Sequence, residues 1–368
     1  MLIAIKTWIV TQKNHLKLWF LSLFYNHFCT WTYVFDTALA PLFWIVDNYS
    51  GKLGQSFVAI CCVLLGCVVG ICYWIGLPYW WNKSPPTTIC LLIFGNYIFI
   101  NCIFHYYMGI KCDPGHPPQD VFMEEVASIC KKCIKPKPHR THHCSICNTC
   151  VLLMDHHCPW LNNCVGHFNR RYFLMFMIYI VIGIIFIIIF GVEIAYQELW
   201  LNYNDVNEVP ELYGYSVNVN TSLPKEDWIV NPANAEANAI ISEEKYRSIR
   251  RRCVAFVGII CVGVLIAIGT LLYGHCKMIS KGETSIEKHI NNSERKKYKA
   301  KNEVYVNPYD FGRRKNWMIF LGIYNGSKRT WRHILLPSPH KPFGDGLVWP
   351  SINSTDTEWE EFFHRKVD

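Results

Sequence analysis

Four stretches of the chain are apolar over the length that a helix needs to cross the hydrocarbon core of a bilayer, about 20 residues. We predict spanning helices at residues 55–81, 87–108, 172–196 and 253–273. The third is the clearest, because residues 178–192 contain no polar side chain except Tyr179. Four spans place both flanking segments on one side of the membrane.

The first fifty residues give a weaker pattern. Residues 16–25 and 34–46 are apolar, but His27, Asp36 and Pro41 interrupt them, and neither stretch is long enough to span comfortably. We predict an interfacial or re-entrant helix pair here, with an additional span as the alternative. The segment has no small-residue cleavage site of the kind that ends a signal peptide.

A polar run rich in cysteine and histidine separates the second and third spans. From Cys130 to Cys164 it reads C-x2-C-x9-H-C-x2-C-x2-C-x4-D-H-H-C-x5-C. Thiolate and neutral imidazole are the ligands that zinc prefers, and a structural zinc site takes four of them. The run holds more than the eight ligands that two ions need. A cysteine left over among metal ligands indicates a nucleophile.

The tetrapeptide Asp155-His156-His157-Cys158, followed by Pro159-Trp160, resembles the signature of the DHHC family of membrane-embedded protein S-acyltransferases. The resemblance implies two structural zinc ions and a free Cys158, with Trp160 as a supporting residue. The implied ligand sets are Cys130, Cys133, His143 and Cys150 for one ion and Cys144, Cys147, His157 and Cys164 for the other. The zinc ions would be scaffold, since structural zinc contributes roughly 10–16 kcal/mol to the folding of small domains.

The same resemblance predicts the chemistry. Cys158 would attack a coenzyme A thioester, His156 would take the thiol proton, and Asp155 would orient the imidazole. A free cysteine has a pKa of about 8.5, so it needs such activation at neutral pH. We expect a two-step, ping-pong reaction through an acyl-Cys158 intermediate, with palmitoyl-CoA or another long-chain acyl-CoA as donor. The acceptors would be membrane-proximal cytosolic cysteines of other proteins.

Two further motifs follow the fourth span. Residues 283–287, Glu-Thr-Ser-Ile-Glu, resemble the family's T-T-x-E motif, and we expect Ser285 to hydrogen-bond Asp155. Residues 307–317 resemble the family's aromatic C-terminal motif, which makes Asn316 a structural hydrogen-bonding centre. Residues 282–287 and 335–340 together look most like the Abl-philin branch of the family, which is associated with the endoplasmic reticulum.

Composition and charge agree with a membrane protein. The chain is 51% apolar, too high for an ordinary soluble protein of this length. The segment after the second span and the tail after the fourth are rich in Lys and Arg, whereas the loop between the third and fourth spans is acidic. The positive-inside rule then places the cysteine-rich module and the tail in the cytosol. Residues 250–252, three arginines, disagree, but acyl-CoA and reduced thiols are cytosolic.

The predicted fold class is an α-helical polytopic membrane protein with four transmembrane helices and a cytosolic two-zinc module between helices 2 and 3. The segments are 1–54 (cytosolic or interfacial), 55–108 (helices 1 and 2), 109–171 (zinc module), 172–196 (helix 3), 197–252 (luminal loop), 253–273 (helix 4) and 274–368 (cytosolic tail).

The predicted partners are the lipid bilayer, palmitoyl-CoA and protein substrates, and no nucleic acid. We expect the endoplasmic reticulum membrane, with the Golgi as the alternative location. Two other function classes remain open at this point: a zinc-dependent membrane adaptor without chemistry, and a membrane ubiquitin ligase. In an adaptor, Asp155 and His156 would be idle, and a ligase would act with Cys158 removed.

Overall fold

A computed structural model describes residues 11–20, 31–118, 126–201, 232–324 and 329–365. Within these ranges, four helices are long and apolar enough to cross a membrane, and a cysteine-rich module joins the second to the third. This confirms the predicted fold class, a four-helix membrane protein with a metal-binding-capable module between helices 2 and 3. The four candidate spans are Leu53–Lys83, Pro85–Lys111, Arg170–Leu201 and Ser242–Ser280.

The first span belongs to a longer helix than the sequence pattern predicts. Helix α1, Trp31–Ile71, continues through a π-helical turn, Cys72–Gly76, into the short helix α2, Leu77–Lys83. Residues 34–46 therefore lie in the helix that forms the first span and do not make a separate re-entrant helix. Residues 21–25 of the other predicted stretch lie outside the described part of the chain.

Three more long helices complete the bundle. They are α3 (Pro85–Lys111), α4 (Arg170–Tyr196, extended by a π-helical turn, Gln197–Leu201) and α5 (Pro232–Ser280). Helix α5 begins well before the predicted fourth span, so residues 232–252, expected in a loop, are helical. The three arginines at residues 250–252, which disagree with the predicted orientation, lie inside this helix. Arg250 forms an ion pair with Glu198 at the end of the third span.

The module between α3 and α4 consists of three separate antiparallel hairpins, β1–β2, β3–β4 and β5–β6. Isolated two-stranded hairpins of this size are not stable in water, so the module depends on something other than its strands. The strands are β1 (Ser128–Cys130), β2 (Lys135–Lys137), β3 (His142–Cys144), β4 (Thr149–Val151), β5 (His156–Cys158) and β6 (Asn163–Val165).

The tail after α5 folds back onto the module and the membrane helices. Its helices are α6 (Ser285–Ala300), α7 (Arg313–Leu321), α8 (Arg332–Leu335) and α9 (Asp356–His364). The hydroxyl groups of Tyr97 and Tyr179, on the second and third spans, both donate to the Leu335 carbonyl, at 2.7 and 3.0 Å. In α9, Phe362 is buried and packs against Trp349.

Candidate active site

The Cys158 thiol lies at the end of β5, in an apolar cluster to which all four spans contribute. Its side chain is buried among residues from α3, α4 and α5, and partly buried residues of α1 pack against the same cluster. The buried neighbours are Tyr106, Leu161, Val165, Phe173, Leu174, Met177 and Ile279. The sulfur therefore lies where the module meets the ends of the membrane helices.

The structure brings each predicted metal-ligand set together. The ligand atoms of Cys130, Cys133, His143 and Cys150 lie within 4.8 Å of one another, and so do those of Cys144, Cys147, His157 and Cys164. Both sets could hold a metal ion, and neither includes Cys158. The ligands of the two sets interleave along the chain, so two ions would tie the three hairpins into one unit.

Neighbouring ligand atoms in the two sets lie 3.1 to 4.0 Å apart, close to the spacing around tetrahedral zinc. Zinc–sulfur and zinc–nitrogen bonds of about 2.3 and 2.0 Å place neighbouring ligand atoms about 3.3–3.8 Å apart. The Cys133 and Cys150 sulfurs are 3.8 Å apart, and Cys147 and Cys164 are 3.5 Å apart. The His157 Nδ1 atom is 3.6 Å from the Cys164 sulfur. Four soft donors that converge in this way match the coordination chemistry of zinc.

Hairpins β3–β4 and β5–β6 have the same construction, which explains why Cys158 is left free. In both, a His-His-Cys strand pairs so that the second histidine faces the cysteine of the next strand. In both, an asparagine at the turn has a left-handed backbone, with φ 54° at Asn148 and 49° at Asn162. The residue before that asparagine is the metal-site Cys147 in one hairpin but Leu161 in the other. Cys158 thus occupies a ligand-like position whose partner cysteine is missing.

Asp155 and His156 lie beside Cys158 as expected. The buried Asp155 Oδ2 atom is 3.3 Å from His156 Nδ1. Burial lowers the pKa of His156, but the hydrogen bond to Asp155 and the contact with the Cys158 thiol outweigh it and raise the pKa to about 9. Burial alone would raise the pKa of Asp155, but His156 and the positive charge of Arg170 hold it well below its usual range.

The Thr-Ser-x-Glu motif is the start of helix α6. Thr284 and Glu287 form a capping box: the Thr284 hydroxyl accepts from the Glu287 amide at 3.2 Å, and the Glu287 carboxylate accepts from the Thr284 amide at 2.8 Å. Ser285 follows the cap, so its backbone N–H has no partner within the helix. That N–H and the Ser285 hydroxyl donate to Asp155 Oδ1, at 2.5 and 2.6 Å.

Glu287 also connects the tail to the module. Its carboxylate accepts two hydrogen bonds from the Arg140 guanidinium, at 2.6 and 2.7 Å, and both side chains are almost fully buried. Arg140 in turn lies over the rings of Tyr309 and Trp349. The ion pair therefore fixes α6, which carries Ser285, against the module that carries Asp155.

The other two supporting residues, Asn316 and Trp160, have different surroundings. Asn316 is buried and holds the tail, since its amide donates to the Ser280 carbonyl at 3.0 Å and to Asp310 at 2.8 Å. The Trp160 ring is half exposed and packs edge-on against Phe57 of the first span.

Sequence reasoning did not identify His275. This histidine of α5 is buried, and its Nδ1 atom lies 3.4 Å from Asp155 Oδ2. His275 lies two residues beyond the predicted fourth span, in the segment assigned to the tail, so the hydropathy pattern gave no signal for it. The buried Arg170 beside Asp155 was also missed.

Comparison with known proteins agrees with this geometry. The family profile described as DHHC palmitoyltransferase matches residues 123–292, the segment that contains both metal-ligand sets, the Asp-His-His-Cys strand and the start of α6. The chain belongs to the DHHC family of palmitoyltransferases and is a protein S-acyltransferase. The adaptor and ubiquitin-ligase alternatives are therefore set aside.

Its relatives identify the branch. Palmitoyltransferase ZDHHC16 of Homo sapiens is 38% identical over 349 residues, which cover 93% of this chain and 87% of the relative. Palmitoyltransferase ZDHHC16A of Danio rerio is 37% identical over 347 residues, covering 91% and 88%. A Probable protein S-acyltransferase 16 of Arabidopsis thaliana is 27% identical over 251 residues. The prediction of the DHHC family and its Abl-philin branch is confirmed.

Proposed function

We propose that Cys158 is the nucleophile that carries the acyl group between the two substrates. The observation that supports this most directly is that, in the run from Cys130 to Cys164, which lies wholly within the described residues, Cys158 is the one cysteine outside both metal-ligand sets. It also adjoins an imidazole held by a buried carboxylate. This combination is what an activated thiol requires.

The reaction has two half-reactions. In the first, His156 takes the Cys158 proton, the sulfur attacks the thioester carbonyl of the acyl-CoA, and the coenzyme A thiolate leaves and takes the proton back. In the second, His156 takes the proton of a substrate thiol, whose sulfur attacks acyl-Cys158 and releases the free Cys158 thiol. Each half-reaction exchanges one thioester for another, so no further reactant is needed.

Zinc is the metal proposed for the two ligand sets, which would hold the hairpins and thereby Cys158 in place. The sets would be closed, with four protein ligands each and no open coordination position. His157 would bind the second ion, while its neighbour His156 acts on the thiol.

The donor is a long-chain acyl-CoA, because the apolar cluster around Cys158 faces the interior of the bundle. Burial of an acyl chain contributes about 0.8 kcal/mol per methylene. Val58, Leu174 and Ile279 pack together around the thiol, so an acyl chain that enters between the helices has to displace some of these side chains. Chain-length preference would depend on how far along the bundle these side chains can be displaced.

The acceptors are cysteines of membrane-associated proteins, close to the membrane surface where Cys158 lies. The module and tail are proposed to be cytosolic, in the endoplasmic reticulum membrane, on the basis of their basic charge and the cytosolic supply of acyl-CoA. At the opposite ends of the spans, Lys83 pairs with Glu193 and Arg250 with Glu198. The second pair neutralises Arg250, one of the three arginines that disagree with this orientation.

Steady-state kinetics with palmitoyl-CoA and a cysteine-containing membrane peptide test the two-step mechanism. Double-reciprocal plots at several peptide concentrations are expected to be parallel, and a Cys158→Ser variant with intact metal content is expected to lose both self-acylation and transfer. Intersecting plots, together with transfer by the Cys158→Ser variant, would show direct transfer without an enzyme thioester.

A further inference from the structure

The Asp155 carboxylate receives more hydrogen bonds than the orientation of one histidine requires. Its Oδ1 atom accepts from the backbone N–H and the hydroxyl of Ser285, at 2.5 and 2.6 Å. Its Oδ2 atom lies 3.3 Å from His156 Nδ1 and 3.4 Å from His275 Nδ1. The side chain of Asp155 is fully buried, so these protein groups take the place of water.

We propose that His275 is a positioning residue for acyl transfer: it holds the Asp155 oxygen that orients His156, and so fixes the imidazole relative to the Cys158 thiol. The inference rests on the proposed function, because it requires His156 to act on Cys158. His275 would act through Asp155 and would not touch the reacting atoms.

The need for a second anchor follows from how His156 is held. Its side chain is about one-third exposed, and Asp155 is the hydrogen-bond partner of its Nδ1 atom. Ser285 fixes Oδ1, so a second contact on Oδ2 fixes the rotation of the carboxylate and with it the direction of the bond to His156. His275 belongs to the membrane helix α5, so its imidazole contacts Oδ2, at 3.4 Å, from outside the module.

The packing around His275 supports the same role. The ring of Phe173 contacts both imidazoles edge-on, with centroids 5.1 Å from each, and the two imidazoles are 5.7 Å apart. One turn further along α5, Ile279 packs in the apolar cluster around Cys158. Helix α5 therefore both packs in the cluster around Cys158 and contacts the Asp155 carboxylate.

The 3.4 Å contact with a carboxylate oxygen sets the tautomer expected of His275. A carboxylate oxygen accepts, so the Nδ1 atom that faces it has to carry the proton. An asparagine at this position would place its amide N–H close to where Nδ1 lies, whereas a glutamine amide would lie further out, and a leucine would fill similar space without any donor.

Self-acylation rates of three variants test the proposal in the zinc-loaded full chain, with palmitoyl-CoA as the substrate. His275→Leu is expected to lower the maximal rate roughly tenfold to a hundredfold, the cost of a misplaced reacting group, with the KM for palmitoyl-CoA within about twofold of wild type. His275→Asn should recover most of the rate, and His275→Gln should recover less. Tyr273→Leu, at an exposed position of the same helix, is the matched control and should be unchanged.

Several results would overturn the proposal. Equal rates for the Asn and Gln variants would show that packing alone matters, and this comparison holds even if the Leu variant does not fold. A raised KM with an unchanged maximal rate would place His275 in substrate binding. A third zinc ion per chain that disappears in His275→Leu would make Asp155, His156 and His275 a metal site instead.

A Cys158→Ala variant measured in parallel distinguishes a failure of the proposed function from a failure of the role given to His275. Self-acylation that persists in that variant would remove the proposed function itself. Acylation that depends on Cys158 but proceeds at the wild-type rate in His275→Leu would remove only the role given to His275.

Discussion

At the residue scale, the structure assigns different surroundings to two adjacent histidines. His157 Nδ1 faces the sulfurs of the second metal-ligand set, whereas His156 Nδ1 faces the Asp155 carboxylate. The alternation follows from strand β5, because successive side chains of a strand point to opposite faces. One face of the strand therefore carries the candidate metal ligand His157, and the other carries His156 and Cys158, the proposed base and nucleophile.

This alternation predicts separable losses. His156→Ala should lower the self-acylation rate by about a hundredfold or more, the usual contribution of a positioned base, and should keep two zinc ions per chain. His157→Ala should lose one zinc ion and much of its solubility. Metal analysis and acyl-probe labelling of both variants check this, and loss of zinc from His156→Ala would contradict it.

Leu161 is where hairpin β5–β6 differs from β3–β4, which has the metal-site Cys147 at the corresponding turn position. Leu161→Cys would restore a C-x2-C turn at Cys158, and the new thiol should engage the Cys158 sulfur in a disulfide or a shared metal ion. Self-acylation should then fall further than in Leu161→Ser, which opens the same cavity with a hydroxyl in place of a thiol. Mass spectrometry under reducing and oxidising conditions would detect the linkage, and equal activity of the two variants would contradict it.

Residue-level prediction from sequence works where spacing carries the information. The two ligand sets and Ser285 lie in short motifs, so a family resemblance was enough to propose them. His275 lies far from Asp155 in sequence, and only the packing of α5 against the module brings the two together. A histidine just beyond the predicted fourth span does not reveal its partner.

At the element scale, the start of helix α6 explains the Thr-Ser-x-Glu motif. Thr284 and Glu287 cap the helix, Ser285 offers its free N–H to Asp155, and Glu287 continues to Arg140. The motif thus caps the helix, hydrogen-bonds the Asp155 carboxylate and attaches the tail to the module. Serine in the second position keeps the hydroxyl that Asp155 accepts from.

The Arg140–Glu287 pair predicts a pH-dependent stability. Burial would raise the pKa of Glu287, but the charge and hydrogen bonds of Arg140 lower it below the ordinary value. The contribution of the pair is then fully present above the unfolded pKa, about 4.3, and is lost as pH falls through the lower folded value. Glu287→Gln should reduce the free energy of unfolding by about 3–5 kcal/mol at pH 7.

Thermal unfolding in detergent at several pH values measures this effect. The difference in melting temperature between wild type and Glu287→Gln should be large at pH 7 and should shrink below about pH 4, the range where wild-type Glu287 becomes protonated. Glu294→Gln, whose partner is the exposed Lys297, is a matched control and should have little effect at either pH. A difference that does not change with pH would contradict the account.

At the scale of the whole molecule, the spans, the module and the tail converge on one sulfur. The length of the apolar stretches in the sequence predicted the four spans, because a bilayer imposes a minimum length on every helix that crosses it. The same criterion missed the continuation of the first span back to Trp31 and the start of α5 at Pro232, since helices can extend beyond the membrane. The docking of Leu335 onto Tyr97 and Tyr179 depends on tertiary contacts and left only a weak sequence signal.

The most direct test of the central claim is the location of the acyl adduct in the purified, zinc-loaded chain after incubation with palmitoyl-CoA. Peptide mass mapping, with and without hydroxylamine, and metal analysis of the same sample are the measurements. The account predicts two zinc ions per chain and one hydroxylamine-labile acyl group on the peptide that contains Cys158. A chain with two zinc ions whose labile acyl group lies on another cysteine, or in which the Cys158 sulfur is bound to zinc, would contradict it.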